Sequence, residues 1–292
     1  MHRYSRAIGF YFEKKDELGE ILHQVKRDFT AHELTYEDEV TDYGEYRKEY
    51  GKRIGITLFG DIGRDFNLRN QYYFPYFSGS GITSYDDVAI ERKSDDTGYY
   101  GICEDSKVSI NLIFYVQNKL EYLKRLGRSR YSKVGFSSVT LSALSNQGMI
   151  LLPVQKNETQ EKTQKQHSKN RMQLVNAAKT GDPEAIESLT LEDIDTYSKV
   201  SKRLVKEDIL SIVDTSIMPY GIECDKYSIL GTILDYETVE NSYTGVELYV
   251  MKLEVNDLQF DLCVPCSRVI GELAPGRRYK GDVWLQGKIN FD

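Results

Sequence analysis

The chain has 292 residues, of which 40% are hydrophobic and 28% charged, and its net charge is −7. This composition is globular, which excludes a wholly disordered chain, and the length allows about two domains. The sequence has no run of about 18 apolar residues, which predicts that no segment spans a membrane. Its start does not resemble a signal peptide and it has only four cysteines, which together predict a protein of the reducing cytoplasm.

Residues 1–154 are predicted to form an α+β domain. Apolar residues at helical spacing predict a helix over 16–29, and a second helix from Val116 is expected to stop at Gly127. Short connections favour a largely antiparallel or mixed sheet with helices at one face or end. Seven runs have the composition of strands, namely 53–59, 71–77, 87–92, 99–103, 107–115, 136–144 and 149–154.

Residues 155–171, QKNETQEKTQKQHSKNR, contain no aliphatic or aromatic side chain. Because such a segment has nothing to bury, we interpret it as a polar linker or exposed loop between domains.

Residues 172–226 are predicted to be a helical connector. The first helix ends near Gly181, and Asp182-Pro183 has the N-cap and first-turn residues that begin the next. Thr190 and Asp193 resemble a capping box, which predicts a third helix. The stretch 207–217 fits a helix or a strand.

Residues 227–292 change to a period of two, which indicates strands. A hairpin loop at 241–245 separates strands 229–239 and 247–255, and a last strand runs from about Tyr279 to Ile289. Four or five antiparallel strands in so short a segment suit a small β-barrel of the oligonucleotide/oligosaccharide-binding (OB) type. The fold class is therefore α+β: an N-terminal sheet with helices, a helical connector and an OB-like barrel.

Several segments resemble a known family. They are RAIGF near the start, QYYFPYFSGSGITSYDDVAIERK, SINLIFYVQN, NAAKTGDPEAIESLTLEDIDTYSKVSKRL, DTSIMPYGIECDKYSILG and GDVWLQGKINF near the end. Together they look like a family of bacterial proteins known only as a domain of unknown function. The resemblance covers nearly the whole chain apart from the linker and implies a bacterial, cytosolic protein of one recurrent architecture. It implies no catalytic or binding residue.

The strand before the SGSG sequence is the first candidate ligand site. Tyr72, Phe74 and Tyr76 share one face of an aromatic-rich strand, and Pro75 predicts that this strand is an edge or is bulged. Backbone amides of the Gly-rich turn could hold an anion, although a tight turn is the favoured explanation of the glycines. The candidate ligand-binding residues here are Tyr76, Ser78, Gly79 and Gly81.

The only tryptophan, Trp284, is the second candidate. Strand parity places it with Lys280, Asp282 and Gln286 on the polar face of the last strand, where a large ring needs a cover. A ligand could stack on the ring, or the helices of 172–205 or the N-terminal domain could pack over it.

Other motifs are weaker. Cys263-Val-Pro-Cys266 resembles a redox motif without the βαβ context, and no further ligands complete a zinc site, so strand-end residues are favoured and no metal or cofactor is predicted. Adjacent carboxylates such as Asp86 and Asp87 indicate solvated loops.

The basic run 124–133 could contact nucleic acid, although a helix C-terminus also favours cations. The net charge of −9 over residues 172–292 opposes this contact. The sequence therefore favours a non-catalytic protein that binds a small molecule or a protein partner, with homo-oligomers possible. Two alternatives stay open: a hydrolase or transferase whose carboxylates converge only in the fold, and a nucleic-acid binder using the barrel and the basic run.

Overall fold

A computed structural model describes residues 2–35, 42–62, 68–94, 98–105, 107–108, 110–128, 136–154 and 158–291. The helices in these ranges are the 3₁₀ helix Arg3–Ile8, α1 (Lys15–Arg27), α2 (Lys119–Arg128), α3 (Glu158–Lys179), α4 (Pro183–Leu204), α5 (Ile209–Ile212) and the 3₁₀ turn Cys266–Arg268. The strands are β1 (Ala31–Thr35), β2 (Asp42–Gly51), β3 (Ile54–Ile62), β4 (Leu68–Phe77), β5 (Val88–Arg92), β6 (Tyr99–Cys103), β7 (Leu112–Val116), β8 (Phe136–Leu151), β9 (Ser216–Pro219), β10 (Lys226–Glu240), β11 (Glu247–Val255), β12 (Leu258–Pro265), β13 (Val269–Ile270) and β14 (Arg278–Phe291).

The first sheet is an antiparallel meander in the order β1-β2-β3-β4. Helix α1 buries Ile21 and Val25, one turn apart on its apolar stripe, which confirms the helix expected over residues 16–29. Strands β1 and β2 were not predicted, because their sequences AHELT and DYGEYRKEYG are mostly polar. Strand β2 pairs with the apolar strand β3, and β1 pairs in turn with β2.

The second sheet has the order β13-β8-β12-β11-β10-β14-β7-β6-β5, with β9 beside β10. Strand β8 pairs in parallel with β12 and antiparallel with β14, so the pairings pass from β8 through β12, β11, β10 and β14 and return to β8. The two runs predicted at 136–144 and 149–154 are the single long strand β8. The fold is therefore mixed α+β, with antiparallel and mixed sheets.

One apolar cluster is formed by side chains of these paired strands and includes Met251, Leu262 and Leu285. A second cluster joins the N-terminal segments to the opposite face of β12 and β14, through Cys263 and Trp284. Strand parity placed Trp284 on the polar face, where its ring was expected to need a cover. The 3₁₀ helix and β4, rather than the helices of 172–205, pack over this face.

Gln286 joins β14 to the end of β4 by hydrogen bonds. Its amide donates to the carbonyl of Pro75 at 2.8 Å and accepts from the N–H of Phe77 at 3.2 Å, so β14 supplies polar partners to the end of β4. A buried amide is stable only with such partners.

The helical segment differs from the prediction in two places. Most of the expected linker is helix, since α3 begins at Glu158. Helix α4 continues through Thr190, whose hydroxyl donates to the carbonyl of Ile186 at 2.8 Å and caps nothing. The predicted cap at Asp182 is present, because its carboxylate accepts from the N–H groups of Glu184 and Ala185.

The sheet crosses the boundaries proposed from sequence. Strands β7 and β8 lie before the segment 155–171, yet both pair with β14 near the end of the chain. The stretch 207–217 contains α5 and the start of β9. Among the described residues no helix is both long and apolar enough to cross a membrane.

Candidate functional site

A cavity of about 470 Å³ lies between the start of the chain, the middle of β4 and the strands β10 and β14. We call it the Trp284 cavity. Its lining is rich in aromatic rings, cations and a few acids: His2, Arg3, Tyr4, Tyr72, Tyr73, Phe74, Lys93, Ser94, Tyr100, Tyr115, Glu223, Asp225, Lys226 and Trp284. Cavities of this size hold small organic molecules.

Trp284 is 3% exposed and lies among other rings. Its centroid is 4.5 Å from that of His2, 5.2 Å from Tyr115 and 5.6 Å from Tyr4. The indole Nε1 donates to Oδ2 of Asp225 at 2.7 Å. Asp225 directly precedes β10, and its carbonyl accepts from the N–H of Leu285, so β14 orients both the indole and its partner.

His2 forms one wall of the cavity. Its backbone N–H donates to the hydroxyl of Tyr73 at 2.5 Å, and its ring Nδ1 accepts from the backbone N–H of Tyr4 at 3.3 Å. Burial, followed by repulsion from Lys93 and Lys226, lowers the pKa of His2 to about 3 from 6.5. The imidazole is therefore neutral at pH 7.

Three cations border the cavity: Arg3, Lys93 and Lys226. The ammonium of Lys93 lies 5.1 Å from the ring centroid of Tyr100, and Lys226 forms an ion pair with Glu223. Burial lowers the pKa of Lys226, and repulsion from Arg3 and Lys93 lowers it further. The cations repel one another, and an anion bound among them would relieve that repulsion.

Lys119 lies behind the aromatic wall and is fully buried. Its Nζ is 3.8 Å from the ring centroid of Phe59 and 3.9 Å from that of Tyr72, and it hydrogen-bonds the Tyr72 hydroxyl. Burial lowers the Lys119 pKa well below its usual value, while the nearby Glu45 opposes that shift. Tyr72 thus separates a buried amine from the cavity.

The SGSG segment is built around an internal carboxylate. Asp261 of β12 accepts from the N–H of Ser80 at 2.8 Å, from its hydroxyl at 2.6 Å and from the guanidinium of Arg53. The Arg53 guanidinium also donates to the carbonyl of Ser78. The chain itself therefore supplies a carboxylate at this turn.

The other candidates of this segment are Tyr76, Gly79 and Gly81. Tyr76 is buried under the guanidinium of Arg47, 4.7 Å from its ring centroid. A Cβ on Gly79 would lie 2.4 Å from the carbonyl oxygen of Leu141, and Gly81 has a φ of +74°. Tyr76, Ser78, Gly79 and Gly81 do not line the Trp284 cavity. Only Trp284, of the five predicted ligand residues, does so.

The other motifs remain apart from the cavity. The thiol of Cys263 donates to the carbonyl of Ala7, and burial raises its pKa, while burial raises the pKa of Cys266 to about 11. A redox thiol needs the opposite shift. Within the described ranges, no three His, Cys, Asp or Glu residues are grouped to hold a metal.

The basic run 124–133 is only partly within the described structure, since residues 129–133 lie outside it. The two basic residues whose contacts are described belong to α2. Lys124 pairs with Glu33 at 2.8 Å, and Arg125 lies near Glu121 at 3.6 Å.

The sequence analysis missed His2, Lys93, Asp225 and Lys119. One signal was present, since Asp225 precedes a clear strand and a buried tryptophan needs an acceptor for its N–H. Nothing in sequence spacing relates residues 2, 93 and 225.

A comparison with protein families matches residues 5–287 to DUF3881, a domain of unknown function described with an E. rectale gene. The chain belongs to the DUF3881 family. This confirms the resemblance seen in the sequence. Neither the curated proteins nor the solved structures contain a match to the chain.

The DUF3881 match includes most of the cavity wall. Lys93, Asp225 and Trp284 lie inside the matched range, whereas His2, Arg3 and Tyr4 precede it. Helix α4 also lies entirely inside the range.

Proposed function

We propose that the protein is a non-catalytic binding protein whose Trp284 cavity takes a small anionic molecule that carries a planar ring. One observation supports this proposal: aromatic side chains and three cations line the same 470 Å³ cavity. Aromatic faces stack on planar rings, and cations attract a carboxylate or phosphate.

The carboxylates of the cavity favour binding over hydrolysis. Asp225 accepts from the Trp284 indole, and Glu223 pairs with Lys226. Paired catalytic carboxylates instead face each other across a substrate. The alternative of a hydrolase or transferase therefore has no support from this site.

We also propose that β8, β10, β11, β12 and β14 form an OB-like barrel. The ring of pairings supports this, and five is the strand number of an OB barrel. The fifth strand is β8, from the N-terminal half of the chain. A cytoplasmic location in a bacterium is part of the same proposal, together with weak nucleic-acid binding at most, because residues 172–292 carry −9.

Trp284 is the only tryptophan and reports on the cavity directly. The test titrates the full chain with the four ribonucleoside monophosphates and with 4-hydroxyphenylacetate, following indole emission and thermal unfolding. Adenosine supplies a ring without charge, and ribose 5-phosphate supplies charge without an aromatic ring. The proposal expects a saturable change only with compounds that carry both features.

Two variants locate the binding. Lys93→Ala with Arg3→Ala should weaken it about tenfold or more, because charge-assisted contacts contribute about 1.5–3 kcal/mol each. Lys252→Ala, on β11 outside the cavity lining, is the matched control. No emission or stability change with any of the five anionic aromatic compounds would overturn the proposal. Binding unaffected by the cavity variants would do so as well.

A further inference from the structure

A second cavity, of about 380 Å³, lies between the 3₁₀ helix Arg3–Ile8 and the paired strands β8 and β14. We call it the Arg6 cavity. Arg3 borders both this cavity and the Trp284 cavity, whereas Arg6 of the helix and Asp282 of β14 line only the Arg6 cavity of the two. Sites for small organic molecules have volumes of this order.

Arg3 and Arg6 lie on the same face of the 3₁₀ helix. Such a helix has three residues per turn, so residues three apart eclipse each other, about 6 Å apart along the axis. Both arginines are exposed, and among the described residues neither guanidinium forms an ion pair or a hydrogen bond. Two neighbouring guanidinium groups without a partner suit a carboxylate, because each can donate two parallel hydrogen bonds to it.

A β-bulge supplies the residues of the sheet that line the cavity. The register of β8 against β14 shifts at this point, so that two residues of β8, Asn146 and Gln147, lie against Asp282 of β14 alone. All three residues line the Arg6 cavity. Bulges redirect side chains out of the regular alternation of a strand and are frequent beside binding sites.

Two buried hydroxyl groups satisfy the backbone of the bulge. The Oγ of Ser145 lies 2.7 Å from the carbonyl oxygen of Asp282 and 2.9 Å from that of Gln147. The hydroxyl of Tyr279 donates to the same carbonyl of Gln147 at 3.1 Å. Ser145 and Tyr279 are both fully buried. The carbonyl groups of the bulge therefore have partners inside the protein and do not depend on the side chains that line the cavity.

The bulge also presents acceptors that lack a donor. Within the part of the chain that the structure describes, the carboxylate of Asp282 forms no ion pair or hydrogen bond, and the buried Oδ1 of Asn146 has no hydrogen-bond partner. Asp282 therefore lines the same cavity as Arg3 and Arg6 without pairing with either. A ligand that carries both a negative and a positive group can bridge opposite charges that share a cavity in this way.

Phe10 and Phe12 add apolar surface to the lining. Their rings are stacked, with the centroids 5.5 Å apart and the planes inclined by 16°. Phe12 is only partly buried. An aliphatic or aromatic group of a ligand can pack on this surface.

We propose that the Arg6 cavity binds a free α-amino acid with an apolar side chain. Its carboxylate lies against the two arginines, its ammonium group donates to Asp282, and its side chain packs on the two phenylalanine rings. This site and its zwitterionic ligand go beyond the function proposed for the Trp284 cavity, whose ligand needs no ammonium group.

Isothermal titration calorimetry of the full chain with L-phenylalanine and L-leucine tests the ligand class. The proposal expects saturable binding of at least one of them. N-acetyl-L-phenylalanine lacks the ammonium group and L-phenylalaninamide lacks the carboxylate, so each should bind at least about tenfold more weakly than L-phenylalanine. Inorganic phosphate shows whether the arginines take an anion alone. No saturable binding of either amino acid would overturn the proposal, as would equally strong binding of an analogue or of phosphate.

Two variants locate the amino acid. Arg6→Ala and Asp282→Asn should each weaken its binding about tenfold or more, because each removes one charge-assisted contact. The matched controls Arg27→Ala and Asp235→Asn alter exposed residues outside the cavity lining and should bind like wild type. Unchanged circular dichroism verifies that the variants are folded. Wild-type affinity in Arg6→Ala or in Asp282→Asn would contradict the assigned site.

The same two variants separate this site from the Trp284 cavity. Since neither Arg6 nor Asp282 lines that cavity, both variants should respond to the ribonucleoside monophosphates as the wild-type protein does. A loss of amino-acid binding alone supports the separate site. An equal loss of both kinds of binding would show that the two cavities are one site and would overturn the proposal.

Discussion

The ionisation of His2 is opposed by its surroundings in the folded chain. Its pKa is about 3 when folded, against 6.5 as the ordinary value. Between these values the unfolded chain binds more protons than the folded one. The part of the unfolding free energy that depends on a neutral His2 is therefore fully present above pH 6.5 and is lost as the pH falls towards 3.

We predict that the wild-type protein loses about 2 kcal/mol of unfolding free energy between pH 7 and pH 5 that His2→Gln does not lose, at about 1.4 kcal/mol per pH unit below 6.5. Urea unfolding followed by Trp284 emission measures this difference. His23→Gln on the exposed side of α1 is the matched control for the substitution itself. Parallel pH profiles for wild type and His2→Gln would contradict the assigned pKa shift.

The two cysteines of the C-x-x-C motif are expected to respond differently. The sequence analysis favoured plain strand-end residues for both, yet Cys263 is fully buried beside Ala7 while Cys266 is half-buried. Cys263→Ser should cost about 1–2 kcal/mol, because a hydroxyl is buried among apolar groups. Cys266→Ser should cost less than about 0.5 kcal/mol. Chemical denaturation of the two single variants measures both, and equal costs would show that Cys263 is not enclosed.

At the scale of elements, one ion pair fixes the turn after β4 to β12. Asp261 is almost completely buried, and Arg53 is its cationic partner. Arg53→Ala should lower the unfolding free energy by about 3 kcal/mol, since it leaves a buried carboxylate without its counter-ion. Lys52→Ala, which removes the neighbouring exposed pair with Glu237, should cost less than about 1 kcal/mol. Similar values for both variants in denaturant titrations would contradict this role of Asp261.

At the scale of the whole molecule, we predict the first proteolytic cut in the segment 155–171, because it has no aliphatic or aromatic side chain to bury, giving fragments of about 17 and 14 kDa. Strand β8 of the first fragment pairs with β12 and β14 of the second. The fragments should therefore separate in denaturing gels but elute together in native gel filtration. Separate elution would show that the sheet does not hold the two halves, and a first cut within 53–115 would contradict the proposed boundary.

Local signals predicted much of the secondary structure. The periodicity of α1, the Asp182 cap and the alternation of β11 and β12 depend on neighbours in the chain, so the residues themselves carry the information. The same holds for the single tryptophan, whose size alone predicted a cover. The continuity of α4 past Thr190 was missed, because a hydroxyl that bonds one turn back looks the same in sequence as a cap.

Tertiary structure alone decided which faces are buried and which residues meet. Alternation shows that Cys263 and Trp284 oppose the apolar face, but burial depends on what packs there, and that is the distant segment of residues 2–10. Strand β8 completes the ring of pairings from more than a hundred residues away, and the cavity joins His2, Lys93, Asp225 and Trp284. Such contacts arise from strand pairing and packing between remote segments, and no local periodicity encodes them.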